Sequence, residues 1–292
     1  MSNPARLRID ADRLVIAQEV DVPLPLDDIA VLIIESQQVA LTTAVFSRLA
    51  EVGASVIVCD SKHMPVFIGY PCAGHSRLSG VHRMQLATTL PFRKRCWQRI
   101  VQAKIRNQAE CLHLLGRDGV KRLLDLSDQV RSGDPTNVEG LAAREYFRSL
   151  FGEEFVRMSG DGINAALNYG YAVLRASIAR SLAAHGFLLA QGVHHSSELN
   201  PFNLADDFLE PLRPLVDMLT ATFSPLPVRL EKHHREALAW LLACDVCVDG
   251  QVVSVTYCCE LIAASFLSAC RKKDPSLLKL PTLMPLREHR YE

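Results

Sequence analysis

The sequence predicts an α+β protein in which a small amino-terminal β-rich domain is followed by a larger all-α domain. The first 70 residues contain short runs of β-branched residues, which are typical of strands. A stretch with proline, glycine and serine follows at residues 71–80 and indicates a boundary. Beyond it, apolar residues mostly recur at helical spacing. We therefore predict a β-rich domain at residues 1–72, a linker at 73–80 and an α-helical domain at 81–292.

The β-rich domain is predicted to contain one helix among its strands. The helix runs from about Leu41 to Val52, and Gly53 is placed as its carboxy-terminal cap. The strands are predicted from β-branched and apolar runs bounded by turn residues. They are Leu7–Ile9, Leu14–Ala17, Ile29–Glu35 and Ala54–Cys59.

The second domain is predicted to be helical throughout, because its apolar residues follow a helical period and are punctuated by capping residues. The predicted helices are Val81–Ala87, Pro91–Gly116, Lys121–Ser132, Val138–Leu150, Gly162–His185, Leu204–Thr220, Lys232–Val246 and Ser254–Arg271.

The composition is that of an ordinary globular protein. Of 292 residues, 49% are apolar and 22% are charged, and the formal net charge is zero. Any affinity for nucleic acid must therefore come from local clusters of charge. No targeting segment is recognised, and no apolar stretch approaches the ~18–20 residues of a membrane helix, so we expect a cytoplasmic protein without a membrane partner.

Cysteine usage also favours a reducing compartment, because nine scattered cysteines do not suggest a disulfide framework. Cys244 and Cys247, followed by the adjacent Cys258 and Cys259, leave two interpretations open. They are either ligands of a structural zinc ion or small side chains packed in the core.

The predicted helix around Trp97 carries a basic stripe on the side opposite its apolar face. Arg95, Arg99 and Arg106 belong to this stripe. It is either an ordinary solvated helix face or a track for a phosphate backbone. Lys104 and Gln108 lie instead on the apolar face, where an unpaired charge is unfavourable. Lys104 therefore either reaches solvent or points into a polar internal site.

A second helix, Gly162–His185, places four polar side chains on one stripe. Asn164, Asn168, Tyr171 and Arg175 follow helical spacing, and asparagine is a weak helix former. The stripe either contacts a neighbouring helix or binds a ligand.

The segment from residue 191 to residue 214 combines histidines with clustered acids. His194 and His195 lie in a loop, and the helix after it places Asp206, Asp207 and Glu210 on one side. The acids either complement the helix dipole or, with a histidine, hold a metal ion.

Glu139 is ambiguous when considered alone. The spacing Thr136-x-x-Glu139 is typical of a capping box, so this side chain either caps a helix or serves as a ligand.

Three segments, taken in order, resemble a known family, the CRISPR-associated integrase of spacer acquisition (the Cas-one family). They are NVEGLAAREYF at residues 137–147, LNYGY at 167–171, and GVHH at 192–195 through NLADDFLEPLRP at 203–214. The amino-terminal PLDDI at 25–29 also fits, and KIRNQA at 104–109 resembles the branch associated with type II systems.

The resemblance implies that residues 81–292 form the catalytic domain and that Glu139, His195 and Glu210 are its catalytic metal ligands. Asp207 is a competitor for the third ligand or a neighbour that supports the ligands. His194 and Asn168 are further candidates for that supporting role. From the residues themselves we add Arg95, Arg99, Lys104, Arg106 and Arg175 as candidate DNA contacts.

The same resemblance implies a metal-dependent integrase. Two carboxylates and an imidazole suit Mg²⁺ or Mn²⁺. The reaction implied is attack of a 3′-hydroxyl on a phosphodiester, which inserts a short foreign DNA fragment into a CRISPR array. Alternatives are a DNA endonuclease that uses water and does not integrate, and a non-catalytic DNA-binding scaffold.

The partners implied are double-stranded DNA, as both the incoming fragment and the repeat array, and a second copy of the chain. The β-rich domain is expected to mediate dimerisation and partner contact. A small CRISPR-associated protein (Cas-two) and the type II effector nuclease are the further partners expected.

Overall fold

The β-rich part of the chain consists of strands that form two sheets around one helix. The structure is a computed structural model, and it describes residues 1–71 and 77–290. The elements of this part are β1 (Ala5–Asp10), β2 (Arg13–Ala17), β3 (Val22–Pro25), β4 (Val31–Ile34), β5 (Val39–Leu41), α1 (Thr43–Glu51), β6 (Ser55–Cys59) and β7 (Pro65–Gly69).

The first sheet has the strand order β3-β2-β1-β5, in which only β1 and β5 are parallel. The second has the order β4-β6-β7, with β4 and β6 parallel and β7 antiparallel to β6. Successive side chains of a strand point to opposite faces. Val56 of β6 therefore packs in the small amino-terminal core, whereas Ile57 packs in the large core of the helical part. Strand β6 joins the two parts.

The helical part surrounds two long central helices, α3 and α6. Its elements are α2 (Leu78–Leu86), α3 (Leu90–Leu114), α4 (Val120–Gln129), α5 (Val138–Phe151), α6 (Gly162–Ala184), α7 (Asn203–Leu209), α8 (Arg213–Thr222), α9 (Lys232–Trp240), β8 (Cys244–Val248), β9 (Gln251–Ser254), α10 (Val255–Lys272) and β10 (Thr282–Glu288). The predicted order, a β-rich part followed by a larger helical part, is confirmed. Among the described residues, no helix is long and apolar enough to cross a membrane.

The helical part also contains a three-stranded sheet, β10-β8-β9, that was not predicted. The predicted helix Lys232–Val246 is wrong beyond Trp240, because the apolar run continues into β8. The missed signal is Asp249-Gly250, since both residues have positive φ and form a two-residue hairpin turn between β8 and β9. Strands β3, β5 and β7 were also missed: β5 has only three residues, and β3 and β7 contain proline, which is unfavourable within a strand.

The predicted helix Leu204–Thr220 is interrupted. A 3₁₀ turn at Glu210–Leu212 separates α7 from α8, with Pro211 inside it and Pro214 directly after Arg213. Proline lacks the N–H that a continuous helix needs, so the break follows from the sequence. Its consequence is that Glu210 lies at the end of α7.

A buried ionic cluster fastens the β-rich part to the helices. Glu35, only 4% exposed, accepts hydrogen bonds from Ser2 Oγ at 2.6 Å, Tyr169 Oη at 2.8 Å and Arg235 Nε at 2.9 Å. Burial alone would raise the pKa of Glu35, but the hydrogen bonds from Ser2 and Tyr169 and the pairing with Arg235 lower it. The junction is therefore held by an ionised carboxylate.

The division into domains at residues 72 and 81 stays a prediction. Of the predicted linker, residues 73–76 lie outside the described residues, as does Cys72 at the end of the predicted β-rich domain. Leu78–Gly80 form the first turn of α2, so helix begins inside the predicted linker.

Candidate functional site

Glu139 lies in the first turn of α5, where other side chains act as the caps. The Asn137 side chain accepts a hydrogen bond from Gly140 N, and Asp134 accepts from the backbone N–H groups of Val138 and Glu139, each at 2.9 Å. The predicted capping box from Thr136 to Glu139 is therefore wrong, because Asn137 occupies the cap position. The Glu139 carboxylate is left free for another contact.

Glu210 is a buried acid that is paired with two cations. It is 4% exposed, and Arg213 Nε donates to its Oε1 at 2.9 Å. Lys104 Nζ lies 2.5 Å from Oε2 as an ion pair. Burial alone would raise the pKa of Glu210, but Arg213 and Lys104 hold it at about 2. Glu210 is therefore ionised throughout the ordinary pH range.

Lys104 joins Glu210 to Glu139. Its Nζ also donates to Glu139 Oε1 at 2.6 Å, and the lysine is 9% exposed. Burial alone would lower the pKa of Lys104, but the two glutamates raise it. Of the two alternatives for Lys104, the polar internal site is the correct one. One ammonium group thus lies between two carboxylates that come from different helices.

His195 is oriented by Asp207. The Asp207 carboxylate is fully buried and accepts hydrogen bonds from the backbone N–H groups of Val193, His194 and His195. It also lies 2.8 Å from His195 Nδ1. This bond assigns the ring proton to Nδ1, which leaves Nε2 as the nitrogen that can hold a ligand. The hydrogen bond to Asp207 raises the pKa of His195, and burial opposes that shift.

The two adjacent histidines have different surroundings. The His194 ring stacks on Trp97, with ring centroids 4.1 Å apart and planes within 4°. His195 meets the same tryptophan edge-on at 5.6 Å. His195 is also close enough to Glu210 to add a small lowering of the pKa of that acid, after burial, Arg213 and Lys104. Of the two rings, His195 is the one that belongs to the acidic cluster.

The side chains of Glu139, His195 and Glu210 offer donor atoms that suit a divalent cation. Carboxylate oxygens and an imidazole nitrogen are suitable donors, and the Lys104 ammonium already marks a position between the two acids where positive charge is favourable. In residues 1–71 and 77–290, however, no three histidine, cysteine, aspartate or glutamate side chains converge as a ready-made metal group. A bound ion would therefore need a rearrangement, and Lys104 is the group between the acids.

Comparison with known proteins identifies the family. A family model described as CRISPR associated protein Cas1 matches residues 1–226. A CRISPR-associated endonuclease Cas1 of Neisseria meningitidis serogroup C (strain 8013) is 40% identical over 297 residues, which cover 100% of this chain and 98% of that protein. The chain belongs to the Cas1 family. The recognition made from the sequence is thereby confirmed.

Solved structures agree with this Cas1 fold. A casposase bound to integration product has a TM-score of 0.75 at 18% identity, covering 99% of this chain and 94% of that one. A Cas6-RT-Cas1–Cas2 complex has a TM-score of 0.71 at 18% identity, covering 95% of this chain and 35% of that one. At such identities the likeness extends to the fold alone.

The polar stripe of α6 in this Cas1 protein faces Arg157, which was not singled out from the sequence. Arg157 donates to Asn164 Oδ1 at 2.6 Å and to Asn168 Oδ1 at 2.7 Å. Arg175 lies 3.8 Å from Asp206. The stripe therefore contacts both an irregular segment before α6 and, through Arg175, the neighbouring helix α7, so the predicted contact with a neighbouring helix is present. Asn168 and Arg175 line a surface cavity of about 360 Å³ that also includes Arg157 and Arg213.

The basic stripe of α3 is only partly free in solvent. Arg95 is exposed, and Arg106 forms an exposed pair with Asp128 at 3.3 Å. Arg99 is half-buried and donates to Leu278 O at 3.1 Å. These contacts leave both interpretations of the stripe open.

The four cysteines considered for zinc have different exposure. Cys244, Cys258 and Cys259 are buried free thiols, whereas Cys247 is half-buried. Burial raises the pKa of Cys244 and Cys259 to about 12. These thiols are accordingly protonated and behave as small core side chains.

Behind Arg213 lies a second buried acid that the sequence analysis missed. The Tyr171 hydroxyl donates to Asp217, which is 1% exposed, and the Arg213 guanidinium lies 4.5 Å from the centre of the Tyr171 ring. Burial raises the pKa of Asp217 to about 7, against the lowering effect of the hydrogen bond from Tyr171. The arrangement supports Arg213, and through it Glu210.

We expect Asp217→Asn to stabilise this Cas1 protein at pH 8 by up to about 4 kcal/mol. The carboxyl ionises near pH 3.8 when exposed and near pH 7 when folded, so stability falls as pH rises between these values. Asparagine does not ionise, so the variant avoids this loss of stability, and its side-chain oxygen still accepts the hydrogen bond from the Tyr171 hydroxyl. Urea unfolding at pH 5 and pH 8 should show a larger gain at pH 8. An equal change at both pH values would contradict the prediction, and the exposed Asp125→Asn serves as the control.

Proposed function

We propose that this protein is a metal-dependent DNA integrase that joins short foreign DNA fragments to a CRISPR array. One observation carries the proposal: Glu139 and Glu210 lie on either side of one ammonium group, with His195 electrostatically coupled to Glu210. The family supports a nuclease or integrase role, since a full-length relative is named a CRISPR-associated endonuclease. The casposase of similar fold is described with an integration product.

In this proposal Glu139, His195 and Glu210 hold Mg²⁺ or Mn²⁺. When bound there, the ion would stabilise negative charge on the reacting phosphate and assist the attacking hydroxyl. Asp207 fixes the ring and tautomer of His195, and Arg213 fixes one oxygen of Glu210. The 3′-oxygen of the fragment forms the new bond to phosphorus and its hydroxyl loses a proton, while the old phosphodiester bond breaks and the displaced 3′-oxygen of the array strand takes up a proton and leaves as a hydroxyl. The exchange consumes no water.

The partners follow from the same family relation. We propose that the chain works as a homodimer, with its β-rich part contributing to dimer and partner contacts. A structure of similar fold is described as a Cas6-RT-Cas1–Cas2 complex, which supports a Cas2-type protein as the partner. The type II effector nuclease stays a further proposed partner, and both the incoming fragment and the repeat array are double-stranded DNA.

The direct test mixes the protein and its Cas2-type partner with a labelled short duplex and a plasmid that carries a repeat, with and without Mn²⁺. An integrase gives a branched product in which label and plasmid are covalently joined. A plain endonuclease leaves free ends and no joined label. A scaffold without activity gives neither product, and either of these two results would refute the integrase proposal.

The basic stripe of α3 provides a separate prediction about DNA binding. Arg95/Arg99/Arg106→Ala should weaken binding and make its salt dependence shallower, by about 0.9 in the log–log slope for each phosphate that is no longer neutralised. The matched control is Arg6/Arg13/Lys62→Ala, which removes the same charge from exposed positions of the β-rich part. DNA affinity should be titrated between low and physiological salt. An unaltered slope in the α3 variant would favour the ordinary solvated helix face.

A further inference from the structure

The charges around Lys104 are balanced before any metal enters. Lys104 pairs with Glu139 and Glu210, and Arg213 pairs with the other oxygen of Glu210. Two carboxylates thus face two cations. A divalent ion bound to the same oxygens would lie within a few ångströms of the ammonium group. Such like charges repel strongly in a site of low dielectric constant. The metal and Lys104 therefore compete for the same oxygens.

Gln108 provides a second place for the displaced ammonium group. It lies one helical turn after Lys104 on α3 and is 2% exposed. Its Oε1 is buried and has no hydrogen-bond partner among the described residues. A buried acceptor without a donor is costly, and residues four apart on a helix are neighbours. Lys104 Nζ is a flexible donor that would satisfy this oxygen.

We propose that Lys104 holds the cation position between Glu139 and Glu210 in the metal-free protein and moves to Gln108 Oε1 when a divalent cation binds. This inference rests on the proposed function, because it assumes that these two acids are metal ligands. Lys104 keeps the acids aligned while the metal is absent. The affinity of the site for metal is then set by an exchange between two cations.

The test is calorimetric titration of Mn²⁺ into the full-length protein without DNA. Lys104→Met removes the competing cation, so this variant should bind Mn²⁺ about tenfold more tightly than the wild type, or tighter still. Gln108→Met removes the second position of the ammonium group, so it should bind Mn²⁺ several-fold more weakly. A purely structural role would not tighten binding in one variant and weaken it in the other.

Two control variants accompany the titration. Lys104→Arg keeps a cation and should not tighten binding. Gln102→Met makes the same glutamine-to-methionine substitution at a half-buried position of α3 and should leave the affinity for Mn²⁺ unchanged. If Lys104→Met does not fold, Gln108→Met alone tests the proposal, because an unchanged Mn²⁺ affinity in that variant overturns the proposed movement of Lys104.

The outcomes separate this inference from the function on which it rests. Mn²⁺ binding of equal affinity in the wild type, Lys104→Met and Gln108→Met overturns the exchange and leaves the metal site intact. Absence of Mn²⁺ binding in every variant overturns the exchange together with the proposed metal dependence.

Discussion

Glu139→Gln and His195→Ala are each expected to reduce strand transfer by roughly a thousandfold or more, because charge stabilisation by a bound metal contributes several kcal/mol. Glutamine keeps the shape of Glu139 and removes its charge, which leaves Lys104 paired with Glu210. Alanine at position 195 removes the ring that Asp207 orients. The measurement is the yield of branched product in the presence of Mn²⁺.

Both variants should remain folded and bind DNA nearly as well as the wild type. Thermal unfolding and a DNA titration check this. The matched controls are Glu145→Gln, which makes the same exchange further along α5, and His113→Ala at an exposed position of α3. If neither Glu139→Gln nor His195→Ala changes strand transfer, the catalytic assignment is wrong.

Local sequence was sufficient for the fold class but not for every element. The long helices α3 and α6 have an apolar period that tertiary contacts do not override. Strand β8 was taken for helix because its apolar residues continue those of α9 without a breaker. The turn Asp249-Gly250 was the available signal, and its positive φ angles show why those two residue types are needed.

The site required information that no local pattern contains. The position of Lys104 on an apolar face indicated a polar interior, but its partners lie on α5 and at the end of α7. Spacing alone favoured Glu139 as a cap, because nothing in the sequence showed that Asn137 and Asp134 would serve instead. Arg157 lies in an irregular segment without any period, so only the structure reveals its contacts with α6.

Asp207→Asn is expected to lower both strand transfer and stability. The Asp207 carboxylate accepts four hydrogen bonds. Oδ2 accepts from the backbone N–H groups of Val193 and His194, and Oδ1 accepts from the backbone N–H and the ring Nδ1 of His195. An amide has one oxygen, so in either orientation its NH₂ group faces two donors. We expect a loss of ~3 kcal/mol in the free energy of unfolding, since each unsatisfied buried group costs about 1–3 kcal/mol. Displacement of His195 should reduce strand transfer by about 10–100-fold.

The adjacent Asp206→Asn is the control, because Asp206 is partly exposed and belongs to the same helix. It should change the free energy of unfolding by about 1 kcal/mol or less. Comparison with Glu210→Gln then separates the two candidates for the third ligand. If Asp207 only positions His195, Asp207→Asn loses stability and weakens Mn²⁺ binding by about 10–100-fold, whereas Glu210→Gln abolishes Mn²⁺ binding. The reverse pattern would make Asp207 the ligand. We do not expect that pattern, because a carboxylate already occupied by four donors binds metal only if the histidine loop rearranges.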